Sequence, residues 1–211
     1  MMNFPIRRLL HSPAAWRPSW RACALAAVLA ALGACGGGGD GGSTGATGAA
    51  LSPAVAPPAA SPVVLDASSS CGLVNFKATL LQQINDARAS ARSCGAAVMP
   101  AVPALAWNDL LFSAAARHSR DMAQNDYFAH DSQDGRTPGQ RIEAEGYLWR
   151  AFGENIAAGQ LTVTEVMGDW LASPGHCSNL MSANVVNVGV SCVQQAGSTF
   201  GTYWTMDLGS L

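Results

Sequence analysis

Charge is scarce in this chain. Only 12% of its 211 residues are Asp, Glu, Lys or Arg, and there is a single lysine, Lys77. Binding nucleic acid through counterion release needs clustered Lys and Arg, so that class is excluded. The distribution strengthens the exclusion. Four of the 12 basic residues (Arg7, Arg8, Arg17 and Arg21) fall in the first 34 residues, which hold no acidic residue; the rest carries eight basic residues against 14 acidic ones. No later stretch offers the roughly 18 unbroken apolar residues of a membrane span, which excludes a polytopic membrane protein. No Cys-x-x-Cys pair occurs, so a zinc ribbon or thioredoxin-like centre has no basis. Within residues 71–211 there is neither Gly-x-Ser-x-Gly nor His-Glu-x-x-His, which removes the nucleophile elbow and the zincin helix.

What is present first is an address. The arginines up to Arg21 precede an apolar run, Ala22 to Leu32, whose length suits a signal-peptide core and is short for a span. Leu32-Gly33-Ala34-Cys35 then resembles a bacterial lipobox, with Gly33 a less usual choice at its position. The resemblance implies cleavage after residue 34, a lipid on the sulfur of Cys35, export, a membrane partner and, in a cell with two membranes, the outer one. Residues 35–70 read as a disordered tether, rich in Gly, then in Pro, Ala and Ser, with too little apolar surface to offset the entropy of ordering. The folded domain is expected at 71–211.

Cys71, Cys94, Cys177 and Cys192 are an even set suited to an oxidising compartment, and three pairings are open. Cys177 with Cys192 is preferred, which leaves Cys71 with Cys94 by exclusion. A straight helix of about 17 residues between the latter two would span roughly 25 Å, while bridged Cα atoms lie within about 7 Å. Either that helix is shorter or bent, or the pairing crosses over.

Four apolar stripes repeat at three and four residues. The first runs from Phe76 to Ala91 and the second from Trp107 to Met122, with Asn108 or a neighbour as cap. The third starts on the capping box Thr137-Pro138-Gly139-Gln140 and stops at Gly146, and the fourth starts on Thr162 to Glu165 and ends at Pro174. After Val186 the period changes to two, predicting strands over 186–192 and 200–208 with a hairpin loop at 194–198. Helices packed on a small, mostly antiparallel sheet make an α/β sandwich.

The chemistry concentrates on three histidines. His130 and His176 lie in irregular segments rich in Gly, Ser and Asp, and Glu154 sits between them, embedded in apolar sequence. A buried carboxylate needs donors or a cation, so an imidazole is a natural partner. Two His and a Glu could hold a divalent metal such as zinc, although no cofactor is required. His118 falls in the buried stripe of the second helix, as core or cleft wall. Ser132 and Ser173 read as turn and helix-end residues.

Trp107-Asn108-Asp109-Leu110, His118-Ser119-Arg120-Asp121-Met122, Phe128-Ala129-His130, Asp134-Gly135-Arg136-Thr137-Pro138, Arg141, Gly153-Glu154-Asn155-Ile156-Ala157, Trp170, Ser173-Pro174-Gly175-His176, Asn179 and Val188-Gly189-Val190 follow in an order that resembles the CAP superfamily, the cysteine-rich secretory, antigen 5 and pathogenesis-related 1 proteins, in its bacterial form. The resemblance implies a three-layer α-β-α sandwich with a central cleft. It places the family's two cleft histidines on His130 and His176 and its first glutamate on Glu154. The second glutamate is replaced by Ser173, which weakens a metal site to His130 and His176 with Glu154 supporting. The implied function is a lipid-anchored, monomeric binding module of the cell envelope, taking a small apolar ligand, a glycan, a metal or another protein. The alternative is a hydrolase in which His130 or His176 is general base and Glu154 orients the imidazole.

Overall fold

A computed structural model describes residues 61–211. The export segment, Cys35 and the tether up to residue 60 lie outside the described residues.

The alternating segments form β5 (Asn187–Gln194) and β6 (Thr202–Ser210), an antiparallel pair in which Val190 lies opposite Met206. Two further strands flank them. The two-residue β3 (Ala106–Trp107) runs parallel to β5, and β4 (Ala151–Ala158) pairs antiparallel with β6, giving the order β3-β5-β6-β4. Neither flanking strand is predicted by the sequence pattern, because one is too short for a period and the other interrupts its apolar residues with Gly153, Glu154 and Asn155.

Side chains alternate across a strand, and the alternation sorts the layers. Val188, Val190, Cys192, Trp204, Met206 and Leu208 turn to one face, where Phe76, Leu80 and Ile84 of α1 (Phe76–Arg88), Val166, Met167 and Trp170 of α4 (Val163–Ala172) and Leu180 of α5 (Pro174–Leu180) close the main core. On the other face Ile156, Val193 and Tyr203 meet Met122 and Ala123 of α2 (Asp109–Gln124). The same face carries Glu154, which a side chain of α3 (Pro138–Ala144) reaches. The result is a three-layer α-β-α sandwich with a mostly antiparallel sheet. Helix α2 lies so close to β5 that a Cβ on Gly189 would stand 2.0 Å from the Phe112 backbone nitrogen.

The helix starts agree with the sequence. Asn108 Oδ1 accepts from the amides of Leu110 and Leu111, and both capping boxes, Thr137 with Gln140 and Thr162 with Glu165, are formed. Helix α1 stops at Arg88, three residues before its apolar stripe does. Arg88 is 1% exposed, and its guanidinium donates to the carbonyls of Pro103, Leu180 and Ser182, which draws the chain away from the helix axis. Pro174 ends α4 as expected but also opens α5 at its first position, so His176 sits on a short helix and not in an irregular loop.

Two expectations are corrected. Residues 61–70, assigned to the tether, pack on the domain: Val63 N donates to Ser113 Oγ, Arg117 Nη2 to Ser61 O, and Ser191 Oγ to Ser69 O. Ser69 and Ser70 are buried, so the domain takes in residues 61–70, which composition assigns to the tether. The disulfides are Cys71–Cys192 and Cys94–Cys177, with Cα separations of 5.2 and 5.4 Å, and neither the preferred Cys177–Cys192 bridge nor Cys71–Cys94 is present. The helix-span argument explains this. Helix α1 carries the chain away from Cys71, which stays beside β5, while the hairpin of β1 (Arg92–Cys94) and β2 (Ala97–Met99) brings Cys94 against α5. The bridges close loops of 121 and 83 residues in sequence, and loops of this size restrict an unfolded chain by about 4 kcal/mol or more. Replacing Cys71 and Cys192 together by Ala is expected to cost about 2–5 kcal/mol in urea unfolding, and peptide mapping without reductant should recover the two nested pairs, Cys71–Cys192 and Cys94–Cys177.

Candidate functional site

Glu154 is the centre of the site. It lies in β4 opposite Asp207 of β6, faces the α2 side and has a side chain only 2% exposed. Its two oxygens are held from different elements. His130 Nδ1, in the loop after α2, lies 2.7 Å from Oε1, and Arg141 Nη2, on α3, donates to Oε2 at 2.5 Å. Arg141 Nη1 also donates to Ser132 Oγ and to the Arg136 carbonyl, so the same guanidinium closes the 132–136 turn that follows His130. His118 supports that loop from α2, its Nε2 lying 2.9 Å from the Ala129 carbonyl.

Asn155, the next residue of β4, points to the opposite face and does the equivalent for His176. Its Nδ2 donates to the His176 carbonyl, and Asn179 Nδ2 donates back to Asn155 Oδ1 and Glu154 O, fixing α5 to the edge of the sheet. His130 and Glu154 thus come together as the sequence anticipates, whereas of the three only His176 lines the groove described below. His176 makes no side-chain bond to either, but it lies close enough to feel the charge of His130.

The two imidazoles are driven apart in acidity. The hydrogen bond to Glu154, more than the opposing burial, raises the pKa of His130, whereas burial and then the neighbouring His130 lower that of His176. With an ordinary value near 6.5, a window around that pH holds His130 as imidazolium and His176 as neutral base. His130 therefore favours folding below the unfolded value and loses that contribution as pH rises through its folded pKa. His176 favours folding above the unfolded value and loses its contribution as pH falls through its folded pKa. A nitrogen-15 NMR titration should show His130 titrating above pH 6.5 and His176 below it, and Glu154→Gln should bring His130 down.

Beside His176 runs an open groove of about 290 Å3. Its walls include Phe128 and Phe200, whose rings stand 5.7 Å apart and are 43% and 44% exposed. Ser173, His176, Gln160 and Asp169 supply the polar groups. Ser173 thus lines the groove where the resemblance places it. His118 does not: it is 0% exposed and borders a separate, smaller cavity. A larger apolar groove of about 580 Å3 runs over α1 past Leu65, Leu73 and Leu81, but none of the histidines lines it.

The donor set does not fit a zinc centre. Among the described residues no group of three or more His, Cys, Asp or Glu side chains is arranged to hold a metal. The chemistry agrees, because both Glu154 oxygens are already bonded, to an imidazole and to a guanidinium. Asp207 is no replacement, being buried with its pKa raised well above the ordinary value by desolvation and by Glu154.

Residues 81–208 match the family described as CAP, cysteine-rich secretory protein family. The chain belongs to the CAP family. Among curated relatives it is 34% identical over 98 residues to the uncharacterised protein YkwD of Bacillus subtilis (strain 168), covering 46% of this chain and 36% of that one. It is 33% identical over 87 residues to the uncharacterised membrane protein YlbC of the same organism, covering 41% and 25%. The chain thus spans about a third or less of the length of these relatives. Among solved structures, an extracellular protein containing a SCP domain from Bacillus anthracis str. Ames is similar with 27% identity, a TM-score of 0.49 and coverage of 64% of this chain and 41% of that one. An outer surface protein from Borrelia burgdorferi shares 22% identity at a TM-score of 0.47, covering 52% and 79%.

Arg141 is the CAP-site residue with no role assigned from sequence. The signal available was its place next to Ile142 on a helix short enough that both are buried, since a buried guanidinium needs a carboxylate.

Proposed function

We propose that this CAP domain is an exported binding module, held at the cell envelope by a lipid on Cys35, whose groove takes a glycan. The observation that supports this reading most is the groove beside His176. It offers two half-exposed aromatic faces and a hydrogen-bonding rim of Asp169, Ser173 and His176 in a space open to solvent. A sugar ring has an apolar face for the first and hydroxyls for the second. A hydrocarbon chain gains about 0.8 kcal/mol per CH2 only when it is fully buried, which an open groove with a polar rim does not provide. Glu154 then serves to hold His130 and the surrounding loop, since its side chain is only 2% exposed and does not line the groove.

A second reading, a hydrolase, is favoured by the His130–Glu154 bond, a base with its orienting carboxylate. Two candidate nucleophiles are not free to serve it. Ser132 is buried and accepts from Arg141, and Cys177 is in a disulfide.

The test is calorimetric titration of the purified protein with an N-acetylglucosamine tetramer and, separately, with palmitate. Binding of the tetramer, weakened at least tenfold (about 1.4 kcal/mol) in Phe200→Ala, is the expected result. Binding of palmitate alone would overturn the glycan reading, and release of shorter oligomers that stops in His130→Ala would establish the hydrolase.

A further inference from the structure

Behind the His130–Glu154–Arg141 chain lies a cavity of about 30 Å3, separate from the groove and bordered by His118, Asp121, Ser132, Arg141 and Glu145. A water molecule needs roughly 10–15 Å3 of such space. Two of the polar atoms on these residues, His118 Nδ1 and Arg141 Nε, have no protein partner. They belong to side chains that are almost wholly buried, His118 at 0% and Arg141 at 4% exposure. A buried donor or acceptor without a partner costs about 1–3 kcal/mol, and here two of opposite kind sit on side chains that border one space.

Their chemistry defines the guest. His118 Nε2 is 2.9 Å from the Ala129 carbonyl, which can only accept, so Nε2 carries the proton. Burial lowers the pKa of His118 and keeps the ring neutral, which leaves Nδ1 as a bare lone pair. The charged groups around the ring pull in both directions: Glu154 and Asp121 favour the imidazolium, Arg141 opposes it, and desolvation outweighs them. Arg141 Nε can only donate. The guest must therefore donate to one atom and accept from the other. Chloride accepts only; Arg117 and Arg136 also border the space, but they are engaged by Glu145 and Asp134, and an anion would face the carboxylates of Asp121 and Glu145. A metal cation cannot accept from Nε. Water does both, and its second proton has Asp121 or Ser132 Oγ within the same lining.

We propose that His118 is a positioning residue of the site, holding one buried water between its Nδ1 and Arg141 Nε. The water fixes the guanidinium from behind while Nη2 holds Glu154, so α2 sets the position of a carboxylate it never touches. The arrangement is independent of what the groove binds.

The test is NMR of the full chain labelled with nitrogen-15 in histidine and arginine, at pH 7. His118 should appear as the neutral Nε2–H tautomer with a hydrogen-bonded Nδ1, and both Arg141 Hε and His118 Hε1 should show cross-peaks to a water resonance. In His118→Phe the water cross-peak at Arg141 Hε should fall several-fold. An Nδ1–H tautomer, an imidazolium, or an Arg141 Hε with no water cross-peak in the unsubstituted protein would each overturn the proposal. A shift of Arg141 Hε that saturates with added chloride would overturn it too, by assigning the cavity to an anion.

Discussion

Gly189→Ala is expected to yield no folded protein. The position needs no unusual backbone angle; what it lacks is room. A Cβ there would lie 2.0 Å from Phe112 N, 2.4 Å from Leu111 C and 2.5 Å from Phe112 Cα, all backbone atoms of α2. A side chain could rotate aside, but a helix backbone can only lift away as a body. Lifting α2 would part Met122 and Ala123 from Ile156, Val193 and Tyr203 and would open the layer behind the candidate site. Overpacking against flexible side chains costs about 1–3 kcal/mol; against a rigid backbone the cost should exceed 4–5 kcal/mol, comparable with the whole stability of a domain at about 5–15 kcal/mol. Two controls separate close approach from the general effect of adding a methyl. At Gly209 the added Cβ meets the Tyr147 ring at 2.7 Å, a side chain that can yield in part, so a folded but weakened protein is expected. At Gly168 in α4 nothing lies within 4 Å, and Ala there should stabilise by about 0.5–1 kcal/mol. Soluble yield and thermal unfolding by circular dichroism would rank the three. A Gly189→Ala protein that melts with the parent would disprove the close seating of α2.

Arg141→Met should be the most damaging change within the site itself. It leaves Glu154 buried beside Asp207, two carboxyl groups in register on neighbouring strands, with no guanidinium between them and the low-dielectric interior. Breaking a buried ion pair from one side typically costs about 3–5 kcal/mol. Replacing both partners by apolar residues is often neutral, so Arg141→Met with Glu154→Leu should regain most of that loss in urea unfolding. Recovery of stability without recovery of the raised His130 pKa would show that the pair serves the site more than the fold. If the single variant were as stable as the parent, Glu154 would have to be held by something other than Arg141.

Much of this was legible from residue order. The stripes from Phe76, Trp107 and Val163 turn apolar residues into the core, which is what their period encodes, while the alternation after Val186 marks two strands that are buried on both faces. Asn108, Thr137 and Thr162 signal helix starts because their side chains satisfy local amides. His130 and Glu154 were legible as partners because a carboxylate set in apolar sequence needs a donor. What escaped depends on relations between distant parts of the chain. β4 lacks a period because Glu154 and Asn155 turn to opposite faces, and both are polar and both buried for reasons supplied by α3 and α5. The disulfide pairing depends on where α1 carries the chain. Residues 61–70 have tether-like composition, yet Ser69 O accepts from Cys192 N and Ser191 Oγ on β5, and Ser70 Oγ donates to Asp66 O in their own turn. Asp207 looked like one polar position of a period-two strand, and only the register with Glu154 makes it a second buried carboxyl group.

The bridge from Cys71 to Cys192 also decides how the domain would bear a pull. Tension applied to the chain ahead of Ser61 would first strip the hydrogen bonds of Ser61 and Val63, which are individually weak. It would then reach Cys71 and pass through sulfur into the middle of the sheet, because Cys192 lies in β5, between β3 and β6. Everything from α1 to the start of β5 would be a side branch carrying no load. Force entering from the N-terminal side would thus meet a strand paired along its whole length with β6 and at Asn187 and Val188 with β3, and the helices that position His130, Glu154 and His176 would stay slack.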